Sequence, residues 1–462
     1  MGYKRCPPPK NGSPMRPSSS SVGPALADSS PPPAARPHIH WTENGKPCQA
    51  LWRSERGAAA PAKVVLADDT MSADTAYQLA CGGTALLWRG DFQNARQLLQ
   101  ALQRRIDTPP RRKNRGAAKA GDTSHPNSRP TPRQNAGASA SPDAPLDPQV
   151  FHLQRQAQAQ RSRILAMVLL PFDADYRIPL GRAPDARQAC AEAWGAAPAD
   201  GPPSVASLRD LLGIRSASEW RRTGVEVPAL GEAPHNRIHP HYGVFSPVRG
   251  EYIALVAAAK LPAASQLPAP APPPATHPYV VFDIGTGSGV LSAVLARRQA
   301  MHITATDQDA RAMACAGDNF ARLGLSDRID LQQTDMFPAG RANLVVCNPP
   351  WLPARPGAPV EFAVYDENSR MLLAFLAGLG AHLAPGGEGW LILSDLAVRL
   401  GLRSAGMLPD AIAAAGLVVL GQSHARPQHA RAQDGNDPLH AARSREITTL
   451  WRLGAAPESG AG

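Results

Sequence analysis

The stretch LVVCNPPW, ending at Trp351, reads as a buried strand that stops in a rigid group of hydrogen-bond acceptors. Two prolines cannot continue a central strand, because neither carries the N–H that the ladder requires. A residue before proline is held extended, so the main-chain carbonyls of Asn348 and Pro349 point in fixed directions. Together with the Asn348 side-chain oxygen they form a cluster of acceptors, and Pro350 leads into Trp351, a flat apolar face for stacking. The complement of such a group is a planar –NH₂: adenine, guanine, cytosine or a glutamine amide. An amine of this kind is a poor nucleophile, because its lone pair is delocalised. Two carbonyls accepting its two N–H bonds hold it, favour a pyramidal nitrogen and aim the lone pair at one electrophile. This is catalysis by positioning and preorganised dipoles, without a strong base.

A second group of residues supplies a place for a nucleotide-like ligand. In VVFDIGTGSGV an apolar strand reaches Asp283, and Gly285, Thr286, Gly287 and Gly289 then turn the chain into a helix. Glycines there admit positive φ and let a ligand approach the backbone. The next strand, HITATD, ends at Asp307 and Gln308, and an acid at this place suits the two hydroxyls of a ribose. Asp335 follows a third strand, where it can accept from an adenine amino group with Met336 against the ring. Asp309, before the helical pattern ARAMACA, is instead expected to cap that helix.

These residues must be carried by alternating strands and helices. Strands are expected at 279–283, 302–306, 329–332, 343–347, 390–394, 417–420 and 447–451, with helices from Val290, Ala310 and Met371. The alternation predicts an α/β domain with a mostly parallel, Rossmann-like sheet covered on both faces. The N-terminal half reads as mainly helical. Phe92, Ala95, Leu98, Leu99 and Leu102 recur at helical spacing, and Gly82-Gly83 separates two such helices. The organisation predicted is 1–37 disordered, 60–106 helical, 107–146 a disordered basic linker, 151–240 a substrate-recognition region and 241–455 the catalytic domain.

Composition narrows the classes further. Hydrophobic content is 43%, aromatic content 5%, and 48 prolines are present, which suggests ordered domains joined by disordered stretches. Six scattered cysteines with no C-x-x-C pair argue against a zinc ribbon or a disulfide framework and fit a reducing cytosol. No apolar leader or membrane-length run is evident, so a soluble, cytoplasmic protein is expected. The net charge is +10, but nine Arg/Lys against two Asp lie between Arg104 and Arg133, whereas fifteen Arg face sixteen Asp/Glu over 279–453. Any nucleic-acid footprint therefore belongs to the N-terminal half.

On these motifs the region 242–453 resembles the class I S-adenosylmethionine-dependent methyltransferases, and within them the small methyltransferase-domain family of release-factor glutamine and rRNA amino-N enzymes. The resemblance implies a seven-stranded sheet with its last strand antiparallel, S-adenosylmethionine as donor, direct in-line transfer to nitrogen and no metal. It assigns Asp283, Gly285, Thr286, Gly287 and Gly289 to the cofactor loop, Asp307 to the ribose, Asp335 to the adenine side, and Asn348 to Trp351 to amino-group methylation. SPVRGEYIALV is similar to the PRPETELLV stretch of the glutamine enzymes, which lies beside the cofactor there, with Arg249 and Glu251 matching and Gly250 and Tyr252 departing.

The expected activity is N-methylation of a planar amine. The partner is a nucleic-acid base, RNA favoured, or a glutamine of a translation factor; a catalytically silent nucleotide-binding module is the further alternative. His235, His239 and His241 have a spacing that could hold zinc, but Pro240 breaks any single helix and no metal is expected. No G-x-x-x-x-G-K-[ST] is present, which excludes P-loop chemistry.

Overall fold

The computed structural model describes residues 37–108, 145–263, 279–299, 301–357, 359–427, 434–435 and 437–457. The stretches 1–37 and 107–146, read as disordered from the sequence, lie almost wholly outside the described residues.

The N-terminal part departs from the mainly helical expectation. Its elements are β1 (His38–Glu43), β2 (Lys46–Arg53), β3 (Lys63–Ala67), α1 (Ala73–Cys81), β4 (Thr84–Trp88), α2 (Phe92–Asp107), α3 (Pro148–Leu165), β5 (Val168–Phe172), α4 (Arg187–Trp194), β6 (Ser204–Ser207) and α5 (Leu208–Thr223). The expected helices are present, but they pack on a mixed six-stranded sheet of order β1-β2-β6-β5-β4-β3. Gly82-Gly83 precedes a strand, TALLW, and not a second helix. The reason is physical: short apolar runs such as KVVLA, TALLW and VLLPF have no periodicity that separates a buried strand from a helix segment. Strands from both sides of residues 109–144 share this one sheet. Its main core joins Leu86, Trp88, Val168, Leu170 and Phe172 to Phe92, Leu99 and Leu102 of α2.

A two-stranded ribbon, β7 (Val225–Glu226) and β8 (Arg237–Ile238), leads into α6 (Gly250–Ala258). No strand forms in HYGVF. The second sheet then follows the sequence reading closely, through β9 (Val280–Ile284), α7 (Val290–Arg298), β10 (His302–Asp307), α8 (Ala310–Leu323), β11 (Ile329–Gln333), β12 (Ala342–Cys347), α9 (Arg370–His382), β13 (Leu383–Ser394), α10 (Leu396–Arg399), α11 (Met407–Ala414), β14 (Leu417–Ala425), α12 (His440–Arg443) and β15 (Thr448–Ala455). The strand order is β11-β10-β9-β12-β13-β15-β14, parallel except for β15, which runs antiparallel to both neighbours. This is the seven-stranded Rossmann-like sheet expected, with its last strand reversed.

Alternate residues of each strand serve opposite faces. Val281, Ile303, Leu344 and Val346 pack with α6, α7 and α8 on one side. Phe282, Val345, Cys347 and Leu391 pack with α9 and α11 on the other. The N-terminal part reaches this domain through α3: Phe151 is buried with Leu352, Leu396 and Leu400. The Leu146 N–H donates to the Arg399 carbonyl at 2.8 Å, and Arg155 lies 4.1 Å over the Tyr365 ring.

Gly389 in β13 tests how tightly α9 covers the sheet. A Cβ there would lie 2.3 Å from Leu379 Cδ2 and 3.0 Å from its Cγ, and Leu379 is fully buried. Gly389→Ala is expected to cost about 1–3 kcal/mol by overpacking, read as a lower midpoint in denaturant unfolding.

Candidate active site

Asp283, next to the end of β9, has its carboxylate turned inward, 1% exposed. One oxygen, Oδ2, accepts from Thr286 Oγ1 at 2.7 Å, from Ser292 Oγ at 2.6 Å and from Ser292 N at 3.2 Å. Asp283 and Thr286 therefore tie the glycine turn to the first turn of α7. Burial raises the Asp283 pKa, and these donors oppose the rise. Between the two anchors Gly287 takes φ +58° with nothing within 4 Å of the place a Cβ would occupy, so the backbone there is open to an approaching ligand. Gly289, at φ +80°, has no such room: a Cβ would meet the Phe320 ring at 2.6 Å. Met371, at the start of α9, closes on Gly285.

Asp307 stands at the end of β10 as the sequence predicts. Gly287 N donates to its Oδ2 at 3.0 Å and Asp309 N to its Oδ1 at 2.9 Å. Burial again raises this carboxyl. A carboxylate has about four acceptor positions, so Asp307 keeps capacity for hydroxyl donors. Gln308 is exposed beside it, and Asp309 caps α8 by accepting from Arg311 N at 2.9 Å. The chain after β11 folds back over this strand end: Thr306 Oγ1 donates to the Met336 carbonyl at 2.7 Å, and Thr334 N to the Asp307 carbonyl at 3.2 Å. That places Asp335, exposed, and Met336, at φ +75°, next to Asp307.

The acceptor group sits on the other side of the glycine turn. In the parallel pairing of β9 and β12, Cys347 stands opposite Ile284, so Asn348 follows beside Gly285. Pro349 is buried, while Asn348, Pro350 and Trp351 are half-buried. Trp351 folds back on the motif, and its indole Nε1 donates to Asn348 Oδ1 at 2.9 Å. The Arg249 guanidinium lies 5.5 Å from the Trp351 ring centre and donates to Glu446 at 3.1 Å. Arg249 thus meets the acceptor motif directly, through the Trp351 ring.

Two neighbours escaped the sequence reading. Glu446, fully buried just before β15, also accepts from Ser394 Oγ at 2.7 Å. Arg403, 8% exposed, donates to the Trp351 carbonyl at 3.4 Å and to Ser369 Oγ at 3.0 Å. Nothing in their local sequence marks them, since their partners lie dozens to hundreds of residues away. The histidines suggested for zinc have other partners: His239 Nδ1 meets the Arg221 carbonyl at 2.7 Å and His241 Nε2 meets Asp318 at 2.9 Å. Among the described residues no three His, Cys, Asp or Glu are grouped to hold a metal, and no helix is long and apolar enough to cross a membrane.

Residues 254–397 match the family described as "Methyltransferase small domain". A release factor glutamine methyltransferase of Cereibacter sphaeroides is 34% identical over 177 residues, 35% of this chain and 59% of the relative. A tRNA1(Val) (adenine(37)-N6)-methyltransferase of Vibrio vulnificus is 40% identical over 79 residues, 16% of this chain and 33% of the relative. A ribosomal protein L11 methyltransferase of Pelotomaculum thermopropionicum is 33% identical over 141 residues, 30% of this chain and 38% of the relative. The chain thus spans less than two thirds of each. Among solved structures, a ribosomal protein L11 methylase from Lactobacillus delbrueckii subsp. bulgaricus aligns over 40% of this chain and 72% of its own, at 19% identity and a TM-score of 0.27. The fold assignment rests on this chain's own strand order.

Asp283 offers a pH test of this geometry. A carboxyl whose folded pKa is raised contributes stability below its unfolded pKa and loses it as pH rises through the folded value. From mildly acidic to neutral pH, the wild type is expected to lose stability relative to Asp283→Asn, which does not titrate. Paired denaturant titrations measure that difference, and a difference independent of pH contradicts the burial effect.

Proposed function

We propose that the methyltransferase small domain of this chain transfers a methyl group from S-adenosylmethionine to a planar amino nitrogen. The observation that carries this reading is the position of Asn348-Pro349-Pro350-Trp351 beside Gly285 and across the single strand β9 from Asp307. A nucleoside donor fits the residues present: the backbone is open at Gly287, Asp307 has spare acceptor capacity, and Asp335 with Met336 flanks it. S-adenosylmethionine bound there would supply a methyl carbon activated by a sulfonium.

The work left to the protein is orientation. Asn348 Oδ1 has two lone pairs, of which Trp351 takes one, so a second remains for an incoming N–H. The Pro349 carbonyl, fixed by Pro350, supplies the other acceptor. Holding both N–H bonds leaves the nitrogen lone pair free toward the glycine turn. No side chain is needed as a strong base, because the target is neutral when it attacks.

The substrate we favour is a nucleic-acid base, with RNA first. Residues 1–36 carry five Lys/Arg and one Asp, and residues 109–144 carry seven Lys/Arg and two Asp. Nearly all of the +10 net charge therefore belongs to these two stretches, a distribution suited to polyanion capture. The region 151–240 would contribute substrate recognition. A protein glutamine is the second reading, favoured by the length of the match to the release factor enzyme; the chain would act in the cytoplasm in either case.

Two variants separate the roles. Asn348→Ala is expected to keep donor affinity and lose transfer by about 100-fold or more, the scale of one preorganised polar contact at a reacting centre. Asp307→Ala is expected to weaken donor binding. Calorimetric titration with S-adenosylmethionine and label transfer into cell extract read the two effects; normal turnover in Asn348→Ala would refute the motif's role.

A further inference from the structure

A cavity of about 380 Å³ lies between the N-terminal sheet and the segment that leads into the catalytic domain. That size is in the range of small-ligand sites, about 300–1,000 Å³. One wall is a single face of α5, with Arg209, Gly213, Ser216 and Trp220 at successive helical turns. The small residues leave the floor open, and Trp220, 44% exposed, presents its indole at the rim. Glu55, Asp210 and Tyr242, all half-buried, also line it, together with the exposed Arg56.

The polar groups are unequally satisfied. Glu55 accepts from the Trp194 indole and the Tyr242 hydroxyl, which engages about half of its acceptor positions. Burial raises Asp210, whose charge faces Arg56 and Arg209. Burial lowers Arg209, whose buried Nη1 has no hydrogen-bond partner among the described residues. A buried donor without a partner is costly, and an acceptor brought by a ligand would satisfy it. The two carboxylates balance the two guanidinium groups, so charge alone does not make this an anion trap. An aromatic face over a small-residue floor, with a guanidinium donor at depth, suits a base joined to a phosphate.

The cavity is also placed to serve the active site. Its outer wall, from Pro240 to Ser246, runs along α8: His239 N donates to Asn319 Oδ1 at 2.8 Å, His241 meets Asp318, and Gly243 lies against Arg311. α8 begins just after Asp307, and the same segment continues to Arg249 on the Trp351 ring. Six residues separate Gly243 from Arg249, so the two lie within roughly 20 Å.

We propose that this cavity is a subsite for one unpaired nucleotide of a single-stranded RNA substrate, flanking the base that is methylated, with Trp220 stacking the base and Arg209 holding a phosphate oxygen. The proposal rests on the nucleic-acid reading above. The test is fluorescence anisotropy of the full chain with a short labelled single-stranded RNA of mixed sequence, across a range of salt. Trp220→Ala is expected to weaken binding about tenfold, with Trp220→Phe restoring most of it. Arg209→Met is expected to weaken binding several-fold and to lower the salt slope by about one phosphate contact. Calorimetry with S-adenosylmethionine is expected to be unchanged in all three. If the wild type binds no RNA but binds a glutamine-containing peptide, the nucleic-acid reading falls and this subsite with it. If the wild type binds RNA and all three variants bind equally well, the subsite alone is overturned. Inorganic phosphate competing equally well against wild type and Trp220→Ala would reduce the site to an anion contact and overturn the nucleotide assignment.

Discussion

The parallel pairing of β9 with β10 and β12 is the constraint on which the site depends. Thr306 stands opposite Ile284, and Cys347 stands opposite Ile284 from the other side. All three strands therefore end at one level, and every group past that level faces the same crevice. Asp307, the glycine turn and Asn348 are neighbours for this reason and no other. A slip of one residue in either pairing would send these side chains to the opposite faces. The register is held by two buried faces, one packed on α7 and α8 and the other on α9, so neither face can turn outward without loss of core.

The crevice is then fixed by polar groups that are themselves buried. Asp283 gathers the glycine turn through three donors on one oxygen, and the turn in turn donates to Asp307. On the acceptor side Trp351 is gripped from several directions: its indole by Asn348, its ring by Arg249, and its carbonyl by Arg403. Arg249 is set by Glu446, which the hydroxyl of Ser394 also contacts. The Trp351 ring is thus set by charges contributed from the start of α6 and from the residues before β15.

The seven-stranded sheet was legible in the sequence because long apolar strands separated by amphipathic helices leave few other readings. The β14 strand runs to Ala425, past the 417–420 expected, since its later residues are polar and half-exposed. The N-terminal sheet was not legible. Its strands are short, its edge strand β3 leaves Val65 and Leu66 partly exposed, and two of its five pairings, β2 with β6 and β4 with β5, cross the 109–144 stretch. Within the site, glycines, acids and the proline pair announce themselves locally, because their chemistry depends on adjacent residues. Glu446 and Arg403 do not, since Glu446 meets Arg249 across 197 positions and Arg403 meets Trp351 across 52.

The central claim is that this arrangement methylates a planar amine. The most direct measurement is transfer of labelled methyl from S-adenosylmethionine into cell extract, with the product digested separately by nuclease and by protease and identified by mass. The account predicts label in an N-methylated base, released by nuclease. Label recovered as N-methylglutamine would keep the chemistry and replace the substrate. Label on oxygen, carbon or sulfur, or no transfer at all with the donor bound, would contradict the account.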